Sequence, residues 1–471
     1  MKNTLKKIVL MLVVIQNTSP LFAQKTPIAS EPDISRIVDT LLYGHENGFI
    51  TNPSVVGAAV GVYWKGKTYY SGYGMADRER KIKVDFNTLF EIGSNTKIFT
   101  GLMLAGEMAE RKMSGNDFIE KYVAVNKNIQ GKVRLTDMAN HISGLPTFHD
   151  SASLAELISK DTTKDPLMLV TDDYMLSVLK KVDTLHQYGE YEYSNFGVGM
   201  LGYILQKEEH ATYEQLLQRM ICKPLGLKNT TTISDTNARN MAKGYYKETR
   251  APFIHLCSAM QGAGGIKSSI IDMMSFVKAQ ITEAGPLQKA LSISHKKYYN
   301  EENLQIAMGW HIGKTYNTEI YEMRGDTYGA SSLMLFNKEH DLGIVILLNS
   351  ANSGVVNRSM NTILAKLLDT SGSQHKFSQP EVMVDRKTLE SYVGIYELQP
   401  GFDASVSIEE DGKLAIQLTG QPKLAFKAVE NNWFVLEKFN CQLEFIKDGK
   451  GICNEFNLYQ NAQKINCKRK S

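Results

Sequence analysis

Ser94 and Lys97 place a hydroxyl and an amine three residues apart in the stretch Glu91-Ile92-Gly93-Ser94-Asn95-Thr96-Lys97. Ile98, Phe99, Leu102, Met103, Leu104 and Met108 follow at helical spacing, so the pair falls on one face of the first turn of a predicted helix. A serine so placed is activated twice. A lysine whose pKa is depressed by burial takes its proton, and the free N–H groups of a helix start favour developing negative charge. The same spacing recurs at Ser177/Lys180, Ser275/Lys278, Ser294/Lys297 and Ser373/Lys376. Context selects Ser94: an apolar run, Leu89-Phe90-Glu91-Ile92, and Gly93 precede it and a long apolar-faced helix follows, whereas Ser177 and Ser275 fall inside amphipathic patterns.

A second element stands about a hundred residues on, in Tyr188-Gly189-Glu190-Tyr191-Glu192-Tyr193-Ser194-Asn195-Phe196-Gly197, where Tyr193 and Asn195 form a Y-x-N. A loop-borne phenol carries protons where neighbouring cations lower its pKa, and the amide orients the lysine or donates to a substrate carbonyl. Tyr298/Asn300 and Tyr459/Asn461 share the spacing, so the flanking residues decide.

Those flanks resemble the serine hydrolases built on the class C β-lactamase and penicillin-binding-protein fold. The agreement runs in order through Phe90 to Lys97, Asn140-His141-Ile142-Ser143-Gly144-Leu145-Pro146, Tyr191 to Gly197, and Gly262-Ala263-Gly264-Gly265-Ile266-Lys267-Ser268-Ser269. It covers roughly residues 35 to 368. The resemblance implies Ser94 as nucleophile, Lys97 and Tyr193 as the general acid/base pair, and Asn195 as a positioning group.

The third motif of that family, K-T-G or H-x-G on a strand beside the nucleophile, is altered. Aligning Gly329-Ala330-Ser331-Ser332 with the family's glycine-aromatic-serine-serine run sets Met323-Arg324-Gly325 where the basic residue should begin. His311-Ile312-Gly313 offers another register, but Gly309-Trp310-His311-Ile312 resembles the preceding strand, and Tyr321 to Ser332 continues properly. A thioether neither donates a proton nor pairs with a carboxylate. Arg324, one place along a strand, faces the other way unless a bulge turns it. Either the pocket takes substrates without the terminal carboxylate of β-lactams and D-alanyl peptides, or the protein is a catalytically weak binder of cell-wall peptides. The intact remainder of the motif set favours altered specificity. The expected chemistry is acyl transfer from an ester or amide to Ser94, with the oxyanion held by the N–H groups of Ser94 and, by resemblance, Asp326. The expected partner is a small-molecule or peptide acyl substrate of cell-wall type, with no cofactor.

Rival chemistries find little footing. No G-x-S-x-G elbow occurs, the histidines form no H-E-x-x-H or H-x-H cluster, so no metal is expected, and Gly262 to Gly265 lacks a P-loop ending. His141 reads as a structural histidine of its turn. With 43% hydrophobic and 22% charged residues and a net charge of +3 over 471 residues, nothing points to nucleic acid.

Lys2, Lys6 and Lys7 ahead of the apolar run Ile8 to Ile15, with Ala23 before Gln24, read as a signal peptide over 1–23. A periplasmic or secreted product with no stable membrane anchor is expected. Five cysteines cannot all pair within one chain; Cys453 and Cys467 flank a predicted turn at Gln460-Asn461, a spacing suited to a hairpin disulfide.

The resemblance implies an α/β (α+β) fold: an antiparallel sheet flanked by helices plus a mostly helical subdomain, with the site in the groove between. It is expected over 24–368, with helices near 98–112 and 268–281. After a polar linker at 369–384, period-two alternation at Val406/Ile408, Leu414/Ile416/Leu418 and Leu443/Phe445 predicts a small antiparallel β-barrel over 385–471. Leu389 to Tyr396 resembles the opening of the lipocalin-like domain often appended to such hydrolases.

Overall fold

The computed structural model describes residues 33–43, 49, 52–147, 166–235, 237–247, 249–301, 304–368, 379–399, 401–436, 441–449, 451–460 and 463–470. The expected leader at 1–23 and the linker residues 369–378 lie outside the described residues. Among those described, no helix is long and apolar enough to cross a membrane.

In chain order, β1 (Gly57–Trp64), β2 (Lys67–Asp77) and β3 (Ile82–Lys83) come first. The short strands β4 (Phe90–Glu91), β5 (Thr230–Thr231) and β8 (Lys267–Ser268) form a small sheet, and β6 (Tyr245–Tyr246) pairs with β7 (Thr249–Arg250). Then follow β9 (Tyr299–Glu301), β10 (Leu304–Ala307), β11 (Trp310–Thr315), β12 (Thr318–Asp326), β13 (Ser331–Asn337) and β14 (Leu342–Leu348). The large sheet runs β3-β2-β1-β14-β13-β12-β11-β10-β9, antiparallel throughout.

Its central strands read as near-continuous apolar runs because both faces are covered, and alternate residues serve opposite layers. Ala59, Tyr63, Tyr321, Met323, Met334, Phe336, Val345 and Leu347 join one cluster. Ala58, Val60, Val62, Ile320, Leu333, Leu335, Ile344 and Ile346 join the other. The second cluster contains α1 (Ile34–Tyr43) and the late helix Ser353–Leu368, and the first contains Thr96–Ala109 (α2) with the helical region that follows it. That region holds α3 (Leu135–Ala139), α4 (Asp172–Lys181), α5 (Asn195–Glu208) and α6 (Ile270–Thr282), and the late helix is α7.

The C-terminal strands β15 (Gly394–Gln399), β16 (Phe402–Ile408), β17 (Leu414–Leu418), β18 (Leu424–Ala425), β19 (Lys427–Ala428), β20 (Trp433–Leu436), β21 (Cys441–Lys447), β22 (Cys453–Gln460) and β23 (Gln463–Arg469) form one antiparallel sheet with β18 and β19 as its edges. Only Phe426 separates those edges in sequence, so the sheet is a nearly closed nine-stranded barrel. Its inside is filled: Tyr392 stacks on Phe445 with centroids 4.3 Å apart, and Phe456 lies 5.3 Å from Phe445 and 4.9 Å from Tyr396. The interior is a packed core.

The expected hairpin disulfide does not form. All five cysteines are free thiols. The register between β22 and β23 places Cys467 opposite Phe456, three residues beyond Cys453, which instead faces Lys447 on β21.

Candidate active site

Ser94 sits in a single 3-10 turn, Gly93–Asn95, between β4 and α2. Strand β4 is fixed by β8, with Phe90 opposite Ser268 and Glu91 opposite Lys267. The turn then folds back against the end of β12. Gly93 takes φ +49°, and a Cβ there would lie 2.9 Å from the backbone N and O of Asp326. A Cβ on Gly325 would come within 2.0 Å of Ile92 O and 2.9 Å of Ser94 N. Two glycines thus let the nucleophile's turn and the strand beside it touch. Ser332 locks the contact: its Oγ donates to Ile92 O at 2.9 Å and accepts from Asn95 Nδ2 at 2.8 Å.

Lys97, one turn along, brings its Nζ to 2.9 Å from Ser94 Oγ and donates to Ala263 O at 2.7 Å. Tyr193 OH donates to the same Ser94 Oγ at 2.6 Å. The three residues singled out by spacing therefore meet at one oxygen. Burial with no compensating charge drives the Lys97 amine well below its ordinary pKa, which favours the form able to accept a proton. The phenol departs from expectation. Burial pushes Tyr193 up to about 12, against the pull of its bond to Ser94, and Asp326 adds to the rise. Lys97, the neighbouring amine, is itself shifted toward its neutral form by the same burial.

Asn195 opens α5 and lines the cavity beside Ser94, while the Lys97 amine is held by Ser94 and Ala263. Ser194 caps that helix, accepting from Gly197 N at 2.8 Å and donating to Pro146 O at 2.8 Å. His141, fully buried, accepts at Nδ1 from Ser194 N, and its ring lies 4.5 Å from that of Tyr193. Burial, with Lys97 and His311 nearby, keeps its pKa well below the ordinary value, so it acts as a neutral brace for the loop.

Met323 and Arg324 both border the site: Met323 is almost fully buried in the core on the helical side, and Arg324 reaches the cavity with its longer side chain. β12 pairs with β13 without a register shift from Tyr321 to Asp326, so the arginine gets there without the bulge expected from the sequence. Its guanidinium binds Glu322 at 2.9 Å and reaches Met360 on α7, on the far side of the sheet. Gly325 supplies the close approach described above. Asp326 has its carboxylate tied to Ser331 Oγ at 2.6 Å, and its backbone N lies against Gly93.

These groups border a cavity of about 700 Å3 whose walls are largely apolar, including Leu167, Ile254, Leu256, Met260 and Met323. His311, set aside in the sequence because its strand precedes the motif, also reaches this cavity. Its Nε2 lies 2.8 Å from Tyr191 OH, and burial, with the Arg324 guanidinium nearby, lowers its pKa to about 4. The sequence also gave no sign of Ala263 O as the acceptor for Lys97 or of Asn95 and Ser332 as the lock, since these are contacts across the fold.

A family model described as Beta-lactamase matches residues 44–369, and one described as Domain of unknown function (DUF3471) matches 378–469. Among curated proteins, a beta-lactamase of Pseudomonas fluorescens is 24% identical over 286 residues, covering 59% of this chain and 75% of its own. Protein flp of Staphylococcus aureus (strain MW2) is 26% identical over 344 residues, 67% of this chain and 66% of its own. A beta-lactamase of Yersinia enterocolitica is 28% identical over 306 residues, 63% of this chain and 73% of its own.

Proposed function

From the premise that this chain belongs to the β-lactamase family of serine hydrolases, we propose that it works through an acyl-enzyme on Ser94, cleaving esters or amides that lack the terminal carboxylate of β-lactams and D-alanyl peptides. The observation that carries this reading is the convergence of Lys97 Nζ and Tyr193 OH on Ser94 Oγ. Ser94 attacks the carbonyl carbon and its proton passes to the Lys97 amine. The oxyanion is received by the N–H groups of Ser94 and Asp326, a contribution typically worth about 3 kcal/mol per donor. Tyr193, a phenol that keeps its proton at neutral pH, delivers it to the leaving group. Water then attacks the ester with the proton path reversed, and Asn195 orients the substrate.

The absence of a carboxylate follows from charge. Met323 stands where the family's basic residue would meet a terminal carboxylate, and Arg324, which also lines the cavity, is paired with Glu322 there, so its charge is already offset. Export to the periplasm or the medium, with the leader at 1–23 removed, and a packing role for a lipocalin-like barrel complete the proposal. The aromatic filling of the barrel argues against a ligand carrier.

Intact mass after treatment with a fluorophosphonate, a penicillin and a short-chain activated ester tests this, with Ser94→Ala as control. Adducts with the first and third that vanish in the control, and none with penicillin, are expected. No Ser94 adduct with any reagent, together with retained binding to peptidoglycan, would instead support the weak cell-wall binder.

A further inference from the structure

Glu91 lies three residues before Ser94, almost fully buried, and both of its oxygens reach outward to the substrate cavity. Oε1 accepts from Ile254 N at 2.8 Å and Oε2 accepts from Thr327 Oγ1 at 2.8 Å. Ile254 and Thr327 both line that cavity, one from the loop that follows β7 and one from the turn that follows β12. Thr327 adjoins Asp326, whose backbone N rests against Gly93. Lys267, directly opposite Glu91 on β8 and itself buried, has its amine turned to the carbonyls of Thr232 and Gly265. Among the described residues the carboxylate makes no direct ion pair, and both its oxygens bond to residues of the cavity walls.

We propose that Glu91 is a positioning residue: one buried carboxylate ties the Ile254 wall and the Asp326–Thr327 turn to the strand that carries the nucleophile, and so fixes the distance between Ser94 and the N–H of Asp326. The inference rests on the acyl-enzyme reading given above. Its physical basis is geometric: two directional 2.8 Å hydrogen bonds to one buried carboxyl set the positions of both partners. A slack turn leaves the substrate bound and the oxyanion donor out of place, which lowers kcat and leaves KM nearly alone.

Thr327 gives the clean test because its bond to Glu91 is removed without emptying a core site. Thr327→Val is expected to lower kcat for an activated ester roughly tenfold with KM changed by less than about twofold, and Thr327→Ser, which keeps the hydroxyl, to restore it. In a Glu91→Ala background, Thr327→Val is expected to add no further loss. Should Glu91→Ala fail to fold, the Val and Ser pair at 327 still decides. Val and Ser variants that both match wild type, or losses at 91 and 327 that multiply, overturn the inference. A wild type that acylates while Thr327→Val equals it overturns this inference alone; a wild type with no Ser94 adduct overturns the acyl-enzyme reading and the inference with it.

Discussion

Gly325→Ala should separate folding from chemistry in a measurable way. The added Cβ would lie 2.0 Å from Ile92 O and 2.8 Å from Ser332 Oγ, whereas ordinary contact lies at 3.4–4 Å. The nearest atom is backbone, so no rotamer change relieves the clash, and the end of β12 must retreat by about 1 Å or more, a displacement that costs an active site on the order of 10²-fold. Overpacking of this kind also destabilises by about 1–3 kcal/mol. Gly313→Ala on the neighbouring strand is the control, since nothing lies within 4 Å of its Cβ. The assay is the rate of Ser94 labelling by a fluorophosphonate, read by intact mass, beside the thermal midpoint. Labelling of Gly325→Ala within about threefold of wild type at unchanged midpoint would refute the claim that β12 and the Ser94 turn are held at contact distance.

Lys97→Met should abolish labelling yet leave the protein at least as stable near neutrality. The folded pKa of Lys97 is depressed below its ordinary 10.5, so the unfolded chain binds the extra proton between those two values, and wild-type stability rises with pH across that window. Urea midpoints across that window should show a shallower rise in Lys97→Met; an identical slope would mean Lys97 is charged when folded. Met323→Lys should gain a penicillin adduct while losing roughly 2 kcal/mol of stability to its buried position, and a variant that folds but stays unlabelled would place carboxylate recognition elsewhere. Thiol titration should find five reactive cysteines in denaturant without reductant. In the native protein burial holds Cys222, Cys441 and Cys467 up at about 12, so these should react slowly; fewer than five thiols in denaturant would establish a disulfide.

What the sequence made legible was local or periodic. Ser94 and Lys97 share a helix turn, which spacing shows, whereas the two-residue period of β12 predicted that Arg324 would need a bulge to reach the site, and its long side chain borders the cavity without one. What it hid depends on solvent exclusion or on contacts between distant residues. Burial lowers the Lys97 pKa as its role as proton acceptor required, but the phenol, expected to be lowered by neighbouring cations, is raised by the same burial. Glu91 read as one polar residue in an apolar run, and its partners lie 163 and 236 residues away. Ala263 contributes a carbonyl, which no residue type announces. Cys453 and Cys467 flank the predicted turn, yet register set them three places out of step.

The position of β1 in the large sheet governs when this chain becomes an enzyme. β1 lies between β2 and β14, and Val56 N–H, just before it, donates to Ser350 Oγ, 294 residues later. At about 5–20 residues per second, synthesis leaves β1 without its β14 neighbour for some 15–60 s. Closing so long a loop must precede the contacts that reward it, which makes assembly of the sheet's centre slow. β12, which completes the wall beside Ser94, also belongs to the late part of the chain. Throughout that interval the serine is an ordinary alcohol, and the β1–β2 hairpin has an open apolar edge for a chaperone to hold. The order of the strands thus works as a timer that delays hydrolysis until β14 has been made.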